Sequence, residues 1–325
     1  MARLNPFNNK LFLWIYAIAF AVSIYLSLST PVAGGFKDAA MLKMLGVANT
    51  SPVMASLKSV ASSKDNSTLY TAIDRFGAER NLLVKNSFNV QQGTVVVGDC
   101  TYIPADSSYE LTSIERTNPS IIFPLVQGLG ELGRNILFHV PMSFVAFIAF
   151  LVGTINSIQL LRKNDLKYDL RARAASAGGL LFTTLATITG SIWARFSWGT
   201  FWNWDSRETS ILVLLLIYIA YFLLRQLLED SEEKKARTAA VYNIIAFVTV
   251  PFLMFILPRI TRSLHPGGGG MEAPVVNLSG KTHIDPWFSV FLWVNVTCFA
   301  ILFFWMRDLF IRIETIHNKR TLRYD

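Results

Sequence analysis

Six stretches of the chain are apolar almost throughout: residues 11–30, 138–160, 175–193, 209–228, 238–258 and 286–306. A helix needs roughly 20 mostly apolar residues to cross the hydrocarbon core, so each stretch predicts a membrane-spanning helix. The first is too long for the apolar core of a signal peptide, and no small-residue cleavage site follows it, so a retained helix is expected. The fourth is clean as far as Leu224, where Arg225 can carry its charge out to the interface. Pro251 interrupts the fifth and predicts a kink. Residues 31–137 break the pattern. Within them, 38–61 and 67–80 have helix-like composition, 94–102 are β-rich, and Gly98-Asp99 reads as a turn. The expected fold is an all-α polytopic membrane protein with a small mixed α/β insert outside the membrane after the first helix. The expected segments are a first span in 1–30, the insert in 31–137, a five-helix membrane core in 138–310 and a tail in 311–325.

Charge sets the orientation. The chain has 325 residues, 52% of them hydrophobic and 16% charged, where an ordinary soluble domain has about a quarter charged. A net charge of +8 suggests a nucleic-acid partner. The basic residues, however, sit in short blocks between apolar runs, as membrane topology requires. Segments 1–10, 161–174, 225–237 and 307–325 hold 16 Lys and Arg in 56 residues, against 5 in the 42 residues of 194–208 and 259–285. The denser set is expected on the cytoplasmic side, which puts both termini inside. The two cysteines, Cys100 and Cys298, are not expected to pair, because Cys298 lies inside an apolar run. The chain has no Cys-x-x-Cys-His for covalent haem attachment.

The chemistry concentrates in the loop after the third span, Trp198-Gly199-Thr200-Phe201-Trp202-Asn203-Trp204-Asp205. An interfacial aromatic belt accounts for tryptophans. It does not account for a glycine, an aspartate and Arg207 at fixed places among them. Flat indoles can wall in a large planar ligand while their N–H groups reach its polar edge, and Gly199 permits close backbone approach. Of the four histidines, His139 opens the second span and His265 follows the fifth, so both face the side of the tryptophan loop. Imidazole is a standard axial ligand of haem iron, and a planar aromatic shelf flanked by two histidines suits a haem held without covalent bonds. His283 is also outside and is an alternative to His265, though no aromatic or glycine-rich context accompanies it. His317 is cytoplasmic. Arg195, Arg207, Arg259 and Arg262 are on the outer side, where their forks can match haem propionates; Arg259 reads more as a solvated loop charge. Asp205 and Glu208 are placed to cap the fourth span or pair with Arg207. The run from Pro266 to Gly270 lacks the context of a phosphate loop and reads as a flexible connection.

Residues 189–193 (TGSIW) and 198–210 (WGTFWNWDSRETS) strongly resemble the tryptophan-rich signature of a family of haem-handling membrane proteins, which includes CcmC, CcsA and CcmF. The six spans, His139-Val140-Pro141 and Leu264-His265 are most similar to the CcmC branch, and the resemblance covers residues 136–310. It implies that His139 and His265 ligate haem iron. Residues 198–205 would form the platform, with Trp198, Gly199, Phe201, Trp202, Trp204 and Asp205 on it and Arg207 and Arg262 beside it. It implies a transient, non-covalent haem b held at the periplasmic side of a bacterial inner membrane. The partners implied are a CcmE-like haem chaperone, ABC-type transporter subunits like CcmA and CcmB, and a small CcmD-like membrane subunit. Three features depart from that branch: Glu208 where leucine is usual, Phe201 where tryptophan is common, and the long insert. A CcsA-type haem lyase is the alternative, but it would bring more helices and histidines within the spans. A solute transporter or scaffold is a further alternative, and it predicts charged or broken helices at the membrane centre. No side chain reads as a nucleophile or general acid–base pair, so a carrier is expected rather than an enzyme.

Overall fold

The computed structural model describes residues 5–64, 66–125, 130–228, 231–265 and 286–324. In chain order the helices are α1 (Lys10–Ser29), α2 (Phe36–Met44), α3 (Ile136–Lys163), α4 (Lys167–Trp198), α5 (Ser206–Leu227), α6 (Glu232–Pro251), α7 (Leu257–Ile260) and α8 (Pro286–Tyr324). Six helical segments among the described residues are long and apolar enough to cross a membrane. They coincide with the six expected spans, although α4 and α8 run well past the apolar stretches. The chain divides into two compact units: one comprises Met1–Ile24, Asn135–His283 and Phe291–Asp325, the other Tyr25–Arg134 and Ile284–Val290.

The first unit is helical. In lipid the hydrophobic effect does not drive helices together, so small and polar residues set the contacts. A β-carbon on Gly179 of α4 would collide with the Phe150 ring of α3, and one on Gly178 with Phe303 of α8. Asn243 of α6 donates to Ser157 Oγ of α3 at 2.9 Å. Asn295 of α8 donates to the Leu137 carbonyl at 3.0 Å and accepts from Ser23 of α1 at 2.6 Å. Arg225 does not reach out to the interface as expected. It is 6% exposed and forms a two-pronged pair with Asp169 of α4, both bonds 2.7 Å. Pro251 has no amide hydrogen to continue an α-helix. The chain answers with a π-helical stretch, Phe252–Ile256, in which the Leu257 N–H reaches the Phe252 carbonyl.

The second unit corrects the reading of residues 38–80. Helix is confined there to α2, and most of the rest is strand: β2 (Ser51–Lys64), β3 (Ser67–Asp74) and β4 (Glu79–Lys85), followed by β5 (Val95–Ile103), β6 (Ser108–Leu111) and β7 (Arg116–Thr117). A short parallel pair, β1 (Val32–Ala33) with β8 (Phe123–Pro124), stands apart. The main sheet runs β2-β3-β4-β6-β5, and β5 pairs back onto β2, so these strands close a barrel. All neighbours are antiparallel except β4 with β6. That connectivity is the OB-fold's. Its interior takes every second residue of β2, Val53, Ala55 and Leu57, with Tyr70, Ala72, Leu82, Val84, Val96, Tyr109 and Leu111 from the other strands. Ala55 and Ala72 inside the barrel, and serines on its outer face, gave these strands their helix-like composition.

Gly98 is likewise no turn residue; it sits within β5 opposite Val53. A β-carbon there would strike the backbone oxygen of Ser113. Gly98→Ala is therefore expected to destabilise the barrel by about 1–3 kcal/mol, seen as a lower midpoint when its β-sheet circular dichroism is followed on heating. Cys100 and Cys298 are both free and buried. Burial and the neighbouring Asp99 push the Cys100 thiol up to about 12, so it stays protonated.

Candidate functional site

His139 lies in the first turn of α3 and is tied to α4. Its Nδ1 is 2.9 Å from the Ala186 carbonyl oxygen and 3.2 Å from Thr189 Oγ1. A carbonyl only accepts, so Nδ1 carries the proton and Nε2 is left with a bare lone pair, the tautomer a metal ligand needs. The ring packs directly on Gly190, where an added β-carbon would lie 3.0 Å from the His139 Cε1.

The tryptophan loop is shaped by its ends. Gly199 closes α4 with φ +84° and its N–H on the Arg195 carbonyl at 3.1 Å. The Arg195 guanidinium bonds the Gly199 oxygen and lies 5.9 Å from the centre of the Phe201 ring. Trp204 takes φ +57°, a region that costs a bulky residue of order 1–3 kcal/mol. That conformation leaves its indole 70% exposed and delivers the chain to Asp205, the N-cap of α5. Asp205 accepts from the Arg207 amide at 3.0 Å, and Glu208 returns to the amides of Asn203 at 2.6 Å and Asp205 at 3.3 Å. This reciprocal cap gives Glu208 a structural role at the start of α5.

Asp205 also reaches across to the segment after α7. Its Oδ1 accepts from Ser263 Oγ at 2.8 Å and its Oδ2 from the Leu264 amide at 2.7 Å. His265 Nδ1 is 3.5 Å from Oδ1. Burial by itself raises the carboxyl's pKa. His265, the amides of Arg207 and Leu264 and the Ser263 hydroxyl outweigh it, and hold Asp205 well below the usual carboxylate range. The His265 ring meets Trp198 edge-on at 4.8 Å and Trp193 at 5.4 Å between centroids. Trp193 also meets His139 edge-on at 6.3 Å and stacks on Trp198 at 6.2 Å.

These groups surround a cavity of about 770 Å³, with His139, His265, Trp193, Trp202, Arg207 and Arg259 on its wall. That volume falls in the upper part of the usual range for small-molecule sites, about 300–1,000 Å³. Its apolar lining includes Phe144 and Phe147 of α3 and Leu253, Met254 and Phe255 of the π-helical stretch. Trp193 Nε1, Arg207 Nε, Glu208 Oε1 and His265 Nδ1 are buried and make no hydrogen bond among the described residues. A planar ligand with an apolar body, an acidic edge and a metal open on both faces fits this set of walls and donors. No group of three metal-binding side chains occurs among the described residues. Two imidazoles suit a metal that brings its other ligands with it.

Four of the expected site residues, His139, His265, Trp202 and Arg207, share the cavity wall. Trp198 backs His265, while Gly199 and Asp205 shape the loop. Phe201 and Trp204 turn outward, 58% and 70% exposed. Arg262 is not on the wall; its backbone carbonyl accepts from Ser206 at 3.3 Å, and Arg259 takes the lining position instead. His283 and the glycine run 266–270 lie outside the described residues, and His317 is in the polar end of α8. Trp193 and Gly190 were not singled out from the sequence, although both belong to the TGSIW string that carries the resemblance.

A family profile described as Heme exporter protein C matches residues 124–324. The Heme exporter protein C of Bradyrhizobium diazoefficiens is 31% identical over 190 residues, 58% of this chain and 69% of the relative. That of Paracoccus denitrificans is 30% identical over 194 residues, 59% and 76% of the two chains. That of Escherichia coli K12 is 28% identical over 153 residues, 45% and 59%.

Proposed function

The chain belongs to the Heme exporter protein C family, and on that footing we propose that it holds haem b without covalent bonds and delivers it for cytochrome c maturation. His139 Nε2 and His265 are the iron ligands. Trp193 and Trp202 wall the porphyrin. Arg207, together with Arg259 in preference to Arg262, meets the propionates. The site opens on the periplasmic side of a bacterial inner membrane, with both termini in the cytoplasm. The acceptor is a CcmE-like haem chaperone, and the complex includes CcmA-, CcmB- and CcmD-like subunits.

One observation carries this reading: two imidazoles from separate elements line the same aromatic cavity, which also presents two guanidinium groups. The iron is cargo here. The protein's work is to position imidazoles on it, neutralise its acid edge and keep its faces from water. A direct lyase of the CcsA type gains no support from Glu208, whose cap on α5 explains it.

The test is a visible spectrum of the protein purified in detergent from haem-replete cells. The wild type is expected to show a low-spin haem, and the His139→Ala/His265→Ala double variant none. A wild type that carries no haem, and binds none when haem is added, would sink the proposal.

A further inference from the structure

We propose that the two histidines are unequal: His139 is the fixed ligand, His265 is the exchangeable one, and Asp205 is the latch that positions it. The proposal rests on the haem-binding reading above and adds the order in which the iron is let go.

The asymmetry lies in what holds each ring. His139 is on α3, its Nδ1 bonded to α4, with Gly190 beneath the ring. It cannot swing without breaking that bond or moving one of two long helices. His265 is on no helix. The chain leaves α7 at Ile260 and turns extended at Thr261, with φ −106° and ψ 156°. Among the described residues, the hydrogen bonds that hold residues 262–265 converge on the cap of α5. Ser206 Oγ donates to the Arg262 carbonyl at 3.3 Å, Ser263 and Leu264 both donate to Asp205, and the His265 amide donates to Ser263 Oγ at 3.1 Å. Among the described residues, the ring itself has a 3.5 Å approach to Asp205 and the edges of two indoles. One carboxylate therefore determines whether His265 faces the cavity.

A carrier has to grip its cargo and then surrender it. If His139 keeps the iron while His265 departs, an acceptor with its own iron-binding side chain can take the vacated position before the haem is free. The bond from iron to His265 breaks, the bond from iron to the incoming donor forms, and no electron is transferred. Asp205 acts through His265 and is a positioning residue.

The experiment compares haem-loaded wild type, Asp205→Asn and Ser263→Ala in detergent. Ser263→Ala leaves the Asp205 bond to the Arg207 amide intact, so the start of α5 survives. Both variants are expected to keep their haem and shift from low spin towards high spin. Free imidazole should restore the low-spin bands, and transfer to apomyoglobin should be about 10–100-fold faster, the usual effect of loosening a ligand's support. His265→Gly should keep haem that imidazole returns to low spin, while His139→Gly should lose it. Wild-type spectra and release rates in both latch variants would overturn the proposal and leave haem binding standing. So would a His139→Gly protein that keeps its haem while His265→Gly loses it. A haem-free wild type would remove the underlying reading and this proposal with it.

Discussion

Gly190→Val is expected to empty the proposed haem site about as thoroughly as loss of His139, although it deletes no donor. The reason is distance. A β-carbon at Gly190 would lie 3.0 Å from Cε1, 3.4 Å from Nδ1 and 3.9 Å from Nε2 of His139. A β-carbon alone asks the imidazole to give by a few tenths of an ångström, the γ-carbons of valine ask for more, and a shift of the ring works against its 2.9 Å bond to the Ala186 carbonyl. A buried donor that loses its acceptor costs about 1–3 kcal/mol, and misdirecting Nε2 removes the alignment with iron. Second-shell changes of this kind reduce metal affinity about 10–100-fold. Alanine adds the β-carbon alone and is expected to fall between glycine and valine. Haem per protein, measured as the pyridine haemochrome after purification, gives the result, with helical circular dichroism showing that the bundle has formed. Full occupancy in the valine variant would show that the ring does not depend on Gly190 for its place.

What could be read from the sequence follows from what lipid demands. Spans must be long and apolar, so all six were visible, and the polar extensions of α4 and α8 were not, because hydropathy ends before the helix does. The tryptophan loop stood out by three indoles in seven residues, and the two histidines because each falls at the end of a span on the side expected for that loop. The partners of those residues did not stand out. The Ala186 carbonyl is backbone and has no sequence signal. Gly190 and Trp193 look like ordinary helix residues until α3 is set beside them. Arg259 and Arg262 are three residues apart, a spacing too short for charge counting to tell which one faces the cavity. The barrel was misread because Ala55 and Ala72, strong helix formers by composition, stand among its interior residues, and inward-facing positions alternate with outward ones along each strand. Buried alternation along β2, not its composition, carried the strand signal.

The ion pair between Asp169 and Arg225 gives the largest expected effect on stability. Their side chains are 14% and 8% exposed, and the guanidinium meets both carboxylate oxygens at 2.7 Å. Removing one partner strands the other charge away from water, at a cost of about 3–5 kcal/mol. Arg225→Met alone and Asp169→Leu alone are each expected to unfold at clearly lower temperature than wild type. The double variant should recover most of the loss, because two apolar side chains replace a desolvated pair. The pair joins the beginning of α4 to the end of α5, while the tryptophan loop joins their opposite ends and Asp205 caps the return. The two helices that frame the site are thus clamped at both ends, by charge at one and by a cap at the other. Loss of the ion pair should lower the unfolding midpoint and leave the haem spectrum of the folded fraction unchanged. Thermal unfolding in detergent, followed by the haem band and by far-ultraviolet circular dichroism together, separates these effects. A single variant that loses its haem spectrum while still fully folded would show that the clamp positions the ligands as well as the helices.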